Sequence, residues 1–207
     1  MQAMTLVLLL CLRALAAAPG VVVPQPLPVD RISAYVQAAM AEGRTGADAQ
    51  PACRELVAPI SLCFRVEEAG QLRVVTRGDL QRWGLDLPAL ERQAAGALTT
   101  NPMVRRTIEG GGAYYEIVAP DGREAVILLH PEWLADAGPD ARVAMPAVGT
   151  VLVWSAGDAE IDQILAVGAR KMFEQYEAPL TPLVLRWDGS AYKAWGEAKP
   201  KPVGPAP

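Results

Sequence analysis

Apolar and polar positions change rhythm along the chain, and each rhythm names an element. After Asp158, the residues Ile161, Ile164, Leu165, Gly168, Met172 and Tyr176 recur at steps of three and four. That spacing predicts a helix with one apolar stripe, capped by Asp158 and ending near Tyr176. Asp30 opens a second helix that runs to about Glu42, with Ile32, Tyr35, Val36 and Met40 near helical spacing and Gly43 as the stop. A third starts at Asp86, carries Pro88 in its first turn and sets Leu90, Ala94, Ala97 and Leu98 on one face. Between strand and helix, Thr76, Arg77, Gly78 and Asp79 open a turn into Leu80 to Trp83 that Gly84 ends.

Strand-like runs occupy residues 60–67 and 71–76, and Glu68, Ala69 and Gly70 between them have the length and glycine content of a hairpin loop. Further runs cover 103–108, 113–119 and 124–130, the last two joined by Pro120, Asp121, Gly122 and Arg123, a strong turn sequence. Residues 142–145 and 150–155 pair around Pro146 and Gly149, and 183–187 pairs with 191–195 around Asp188 and Gly189. Strands in runs, without regular βαβ alternation, predict an α+β fold: a mainly antiparallel sheet of hairpins with about three helices packed on it.

The two ends read differently. Residues 5–12 are an apolar run followed by Ala14 to Ala18, the pattern of a secretory signal peptide over 1–18 with cleavage near Ala16. A start at Met4, or a hydrophobic first helix docked on the core, is the alternative. Arg13 and then Pro19 and Gly20 interrupt the run well short of the ~20 residues that cross a bilayer, so no stable membrane span is expected. In 19–29, Pro24, Pro26 and Pro28 alternate, which suggests an extended linker. One domain then covers 30–196, and 197–207 is a proline-rich tail expected to be disordered.

Export would place the protein in the periplasm or outside the cell, and removing the leader takes Cys11 with it. Cys53 and Cys63 then remain as an even pair. A disulfide closing that short loop would add about 2–3 kcal/mol in the chain-entropy model. The other reading of Cys63 is a small buried hydrophobe in an apolar strand.

At 207 residues and 51% hydrophobic, the chain has enough apolar material for one core. Its net charge of −4 repels phosphate backbones, and its arginines are scattered or paired, as at Arg105 and Arg106, so nucleic acid is not expected as a partner. His130 is the one histidine and none of the four serines lies in a nucleophile-elbow context. Gly110 to Gly112 lies between strands, not ahead of a helix, and reads as a turn, not a phosphate loop. Asp158, Glu160 and Asp162 complement the start of a helix and lack the ligand run of a calcium loop. No catalytic, cofactor-binding or metal-binding residue is assigned, and no cofactor is expected. Of five tryptophans, Trp133 and Trp195 are the candidates for exposed, binding aromatics.

The run from Val74 to Gly84 followed by 89–98 resembles the strand, turn and helix of the uncharacterised bacterial YtpQ-like proteins. The run Val143 to Pro146, then Val151 to Val153, Gly157, Asp158 and a long helix, is similar to the second half of that family. The resemblance covers roughly 55–190 and brings no residue of known chemistry. Where the family pattern has a polar Arg-Asp step, this chain has Val148 and Gly149. The expectation is therefore a non-catalytic exported module that binds an unidentified protein or small ligand on its sheet face or in a groove between sheet and helices. The rival expectations are a hydrolase drawing on Asp/Glu and His130, and a structural or assembly domain with an apolar patch.

Overall fold

The computed structural model describes residues 17–109, 112–119 and 122–195. Its strands are β1 (Val22–Pro28), β2 (Cys53–Val57), β3 (Ile60–Glu68), β4 (Gln71–Val74), β5 (Met103–Thr107), β6 (Ala113–Ile117), β7 (Arg142–Ala147), β8 (Thr150–Trp154), β9 (Val184–Trp187) and β10 (Tyr192–Ala194). The helices are α1 (Val29–Ala41), α2 (Arg77–Trp83), α3 (Leu87–Ala95) and α4 (Ala159–Gln175). They form an α+β fold of two antiparallel sheets. In the smaller, β3 is central: β1 flanks one side, while β2 and β4 share the other. The larger has six strands in the order β10-β9-β7-β8-β6-β5.

Strand alternation explains how the layers join. Ile60, Leu62, Phe64 and Val66 alternate along β3 and point into a core completed by Leu90 of α3 and by Val143, Met145, Val153 and Leu185 of the large sheet. The intervening residues Ala144, Leu152 and Trp154 face the opposite way and pack on Leu165, Ala166 and Ala169 of α4. One polar group is buried with them. Trp154 Nε1 donates to Asp162 Oδ1 at 2.7 Å, and Arg142 Nη2 stands 3.8 Å from Asp162 Oδ2. Arg142 also donates to the Asp140 carbonyl, whereas its Nε has no partner.

Four expectations need correction. Asp30 does not cap the first helix: α1 starts at Val29 with Pro28 at the cap position, and Asp30 lies within its first turn. The proline-alternating segment 19–29 is not a linker, because residues 22–28 are β1 and pair with β3 along their whole length. The Val21 carbonyl accepts from Glu67 N–H, and Val29 N–H donates to the Pro59 carbonyl. Odd-numbered residues therefore face β3, and Pro24, Pro26 and Pro28 turn their donorless nitrogens to the free edge, where a strand tolerates proline. The run 124–130 is not a strand either. Glu124–Leu129 is a 3-10 turn followed by a second, Pro131–Ala137, and Ala125 to Leu128 are all buried between the sheets. A short apolar run carries no periodicity that separates these outcomes. The turn into Trp83 is a true helix, α2, with a reciprocal capping box between Thr76 and Asp79. The hairpin turn expected at Pro120 and Asp121, the glycines Gly110 and Gly111, the tail from 196 and residues 1–16 lie outside the described residues.

Candidate ligand-binding groove

Where the small sheet meets α1, α2 and the loop after α1, an open groove of about 990 Å³ is lined by Arg31, Arg44, Arg65, Arg73 and Arg82. They come from separate elements: α1, the following loop, β3, β4 and α2. Asp48 and Asp79 are the carboxylates in the lining, while Gln25, Leu27, Leu72 and Val74 supply sheet-side surface.

Asp79 organises one end. The α2 cap holds its carboxylate in place, accepting from Thr76 N–H at 2.9 Å and from the Thr76 hydroxyl at 3.0 Å. Arg73 Nη1 donates to it at 2.7 Å and Arg82 Nη2 at 2.8 Å, so a single buried carboxylate sets the position of two guanidinium groups. Burial pushes the Asp79 carboxyl up, but Arg73, the Thr76 N–H, Arg82 and the Thr76 hydroxyl together outweigh it and lower it to about 2. A second carboxylate ties each guanidinium, Arg73 Nε to Glu68 at 2.6 Å and Arg82 Nη1 to Asp48 at 2.6 Å. Gly78 permits the latter, since a Cβ there would lie 1.9 Å from Asp48 Oδ1.

The other end is less committed. Arg44 donates to Tyr35 Oη and Glu42. Arg65 gives one N–H to the Leu72 carbonyl, and neither Arg65 nor Arg31 has a carboxylate partner among the described residues. The lining includes no histidine, cysteine or serine. Chemically, the groove presents forked N–H donors suited to carboxylate, phosphate or sulfate oxygens.

The residues singled out from the sequence fall elsewhere or beneath. Cys53 and Cys63 are cross-strand neighbours on β2 and β3 and are bonded to each other. Cys63 lies two residues from Arg65, on the same face of β3, so the cystine braces the sheet under the groove. Trp133 is half-buried and stacks on His130 with ring centres 3.9 Å apart. Trp195 is also half-buried, its ring 4.5 Å from the Arg142 guanidinium. His130 does pair with a carboxylate, Nδ1 to Glu132 at 2.6 Å, which holds Glu132 below the usual carboxylate range. Its Nε2, however, bonds the Ala95 carbonyl at 2.9 Å. Both ring nitrogens are thus engaged within the fold, and His130 is not in the groove lining. Asp158 caps α4, whereas Asp162 bonds Trp154, so the acidic residues at that helix start do not act together. No group of three or more potential metal ligands occurs among the described residues. No helix among them is long and apolar enough to cross a membrane.

The groove leaves no contiguous basic run in the sequence, because its five arginines are spread from 31 to 82. The one usable signal was the capping sequence Thr76 to Asp79 with an arginine on either side. Comparison with protein-family models, with curated proteins and with solved structures finds no match.

Proposed function

We propose that this protein is an exported, non-catalytic binding domain that holds a small anionic ligand in the arginine groove. One observation carries the reading: a chain of net charge −4 gathers five arginines around one groove, of which Arg44, Arg73 and Arg82 pair with Glu42, Glu68, Asp48 and Asp79. Two of those arginines, Arg31 and Arg65, face no internal counter-charge among the described residues. Arg31 is exposed and Arg65 half-buried, so both keep donors open toward the groove, and an external anion would pair with them. Citrate and pyrophosphate are the probes, with binding followed by calorimetry. Saturable binding that weakens with added salt, and weakens about tenfold or more in Arg31→Gln and Arg65→Gln, is the expected outcome. If neither probe saturates at low salt, or both substitutions leave affinity unchanged, the reading is wrong.

Export is part of the same proposal, supported by the leader pattern before residue 17 and by the cystine. Ala18 is buried, its N–H donates to Gln93 Oε1 at 2.9 Å, and Gln93 Nε2 reaches the carbonyls of Ala18 and Gly20. Cleavage after Ala16 spares these contacts, whereas cleavage after Ala18 would remove a residue of the core. The intact mass of protein recovered from the periplasm or medium should therefore begin at Ala17 and be two hydrogens lighter than the reduced chain. A chain beginning at Met1 or Pro19, or carrying free thiols at Cys53 and Cys63, would contradict this.

A further inference from the structure

Beside the groove and sharing Arg65 with it, a smaller cleft of about 90 Å³ lies between the free edge of β1 and the turn joining β7 to β8. Pro24, Pro26, Ala125, Val148, Val151 and Leu180 give it an apolar wall. Two charged groups of opposite sign also line it. Arg65 has only the Leu72 carbonyl as partner, and Glu124, half-buried on its 3-10 turn, has no cationic partner among the described residues. The two form no ion pair with each other.

We infer that this cleft binds a free α-amino acid with a short aliphatic side chain, its carboxylate on Arg65, its ammonium on Glu124 and its side chain against the apolar wall. Each part answers a feature that the fold leaves unmet. A guanidinium with most of its donors free matches a carboxylate bidentately. An unpaired carboxyl at a half-buried position matches a cation, and burial pushes the Glu124 carboxyl up in its absence. The cleft is small, about 90 Å³, against about 990 Å³ for the groove, which limits the side chain to a short one. A simple anion would leave Glu124 opposing it, and a simple cation would leave Arg65 opposing it, so the pair selects a zwitterion. Val148, in the lining, is 44% exposed.

This goes beyond the anion-groove reading and can fail without it. The test is calorimetry of the full mature chain with L-leucine, 4-methylpentanoate and isoamylamine, alongside citrate. Saturable L-leucine binding is expected, with 4-methylpentanoate, which lacks the ammonium, and isoamylamine, which lacks the carboxylate, each at least about tenfold weaker. Glu124→Gln should weaken L-leucine about tenfold while leaving citrate affinity unchanged. Val148→Trp, which enlarges a partly exposed side chain of the lining, should do the same, so the test does not depend on one variant. L-leucine binding no better than 4-methylpentanoate, or undiminished in Glu124→Gln, overturns the inference. Citrate binding without any L-leucine binding overturns it too and leaves the groove reading standing; loss of citrate binding alone overturns only the groove reading.

Discussion

Replacing Asp162 with alanine should lower stability by about 4 kcal/mol, the largest loss expected from any single polar substitution in this protein. The carboxylate is 7% exposed, accepts the Trp154 indole N–H, and faces the Arg142 guanidinium, itself 8% exposed. Removing it leaves the indole N–H unmet and leaves the buried Arg142 cation with the Asp140 carbonyl and the Trp195 ring but no counter-charge, which costs more than the pair is worth. Arg142 is already short of partners at Nε. It follows that Arg142→Met on the Asp162→Ala background should restore about half of the loss, since the stranded charge goes and only the indole N–H stays unmet. Urea unfolding of the wild type, both single variants and the double variant measures this directly. Strictly additive effects, or a loss below about 1 kcal/mol for Asp162→Ala, would show that the network does not hold α4 to the sheet.

Acid should reveal Asp79 in a similar way. Its folded carboxyl sits at about 2, below the ordinary 3.8, so the unfolded chain takes up the proton first as pH falls. The sign is therefore fixed: the stabilisation is fully present above about pH 4 and is lost progressively as pH drops toward 2. The amount is on the order of 2 kcal/mol. Asp188, held low by Lys193 and by the N–H groups of Ala191 and Ser190, and Glu132 titrate in the same direction. The comparison with Asp79→Asn isolates the buried group. That variant should lose about 3 kcal/mol at pH 7, because it removes the charge shared by Arg73 and Arg82, and its stability should fall less steeply between pH 4 and 2. Unfolding free energies at a series of pH values check both parts. Parallel acid limbs in wild type and variant would remove Asp79 from the account. Since the same carboxylate orients two groove arginines, the variant should also bind citrate more weakly.

Much of this fold was readable where one element decides its own structure. The Asp158 cap and extent of α4, the Asp86 cap of α3 and the turns at Gly70 and Gly189 depend on neighbours within a few residues, and they appear as expected. The stripe of α4 does not: Ile164 and Tyr176 are exposed, and the buried face is Asp162, Leu165, Ala166 and Ala169, because small residues and a paired carboxylate are what fit against the sheet. β1 was not readable for the opposite reason. Prolines at every second position suit an isolated extended chain and an outermost strand equally, and only the presence of β3 alongside selects the strand. The run at Glu124–Leu129 is uniformly apolar, so burial was legible and conformation was not. Polar roles were hidden further still. Asp162 looked like one of several acidic residues at a helix start, and its partner Trp154 belongs to a strand eight residues earlier. The groove depends on five arginines that meet only after the small sheet and two helices assemble, so no local window contains it.

The border of β1 that faces away from β3 has a consequence for how the two layers meet. Pro24 and Pro26 are buried there, in the cleft wall they share with Ala125, Val148, Val151 and Leu180, and no strand among the described residues pairs with them on that side. A residue with a backbone N–H at either position would aim that donor into an apolar wall, whereas an imino acid has none to leave unmet. Exchanging the two for alanines would keep every hydrogen bond to β3 and still strand two donors inside the protein.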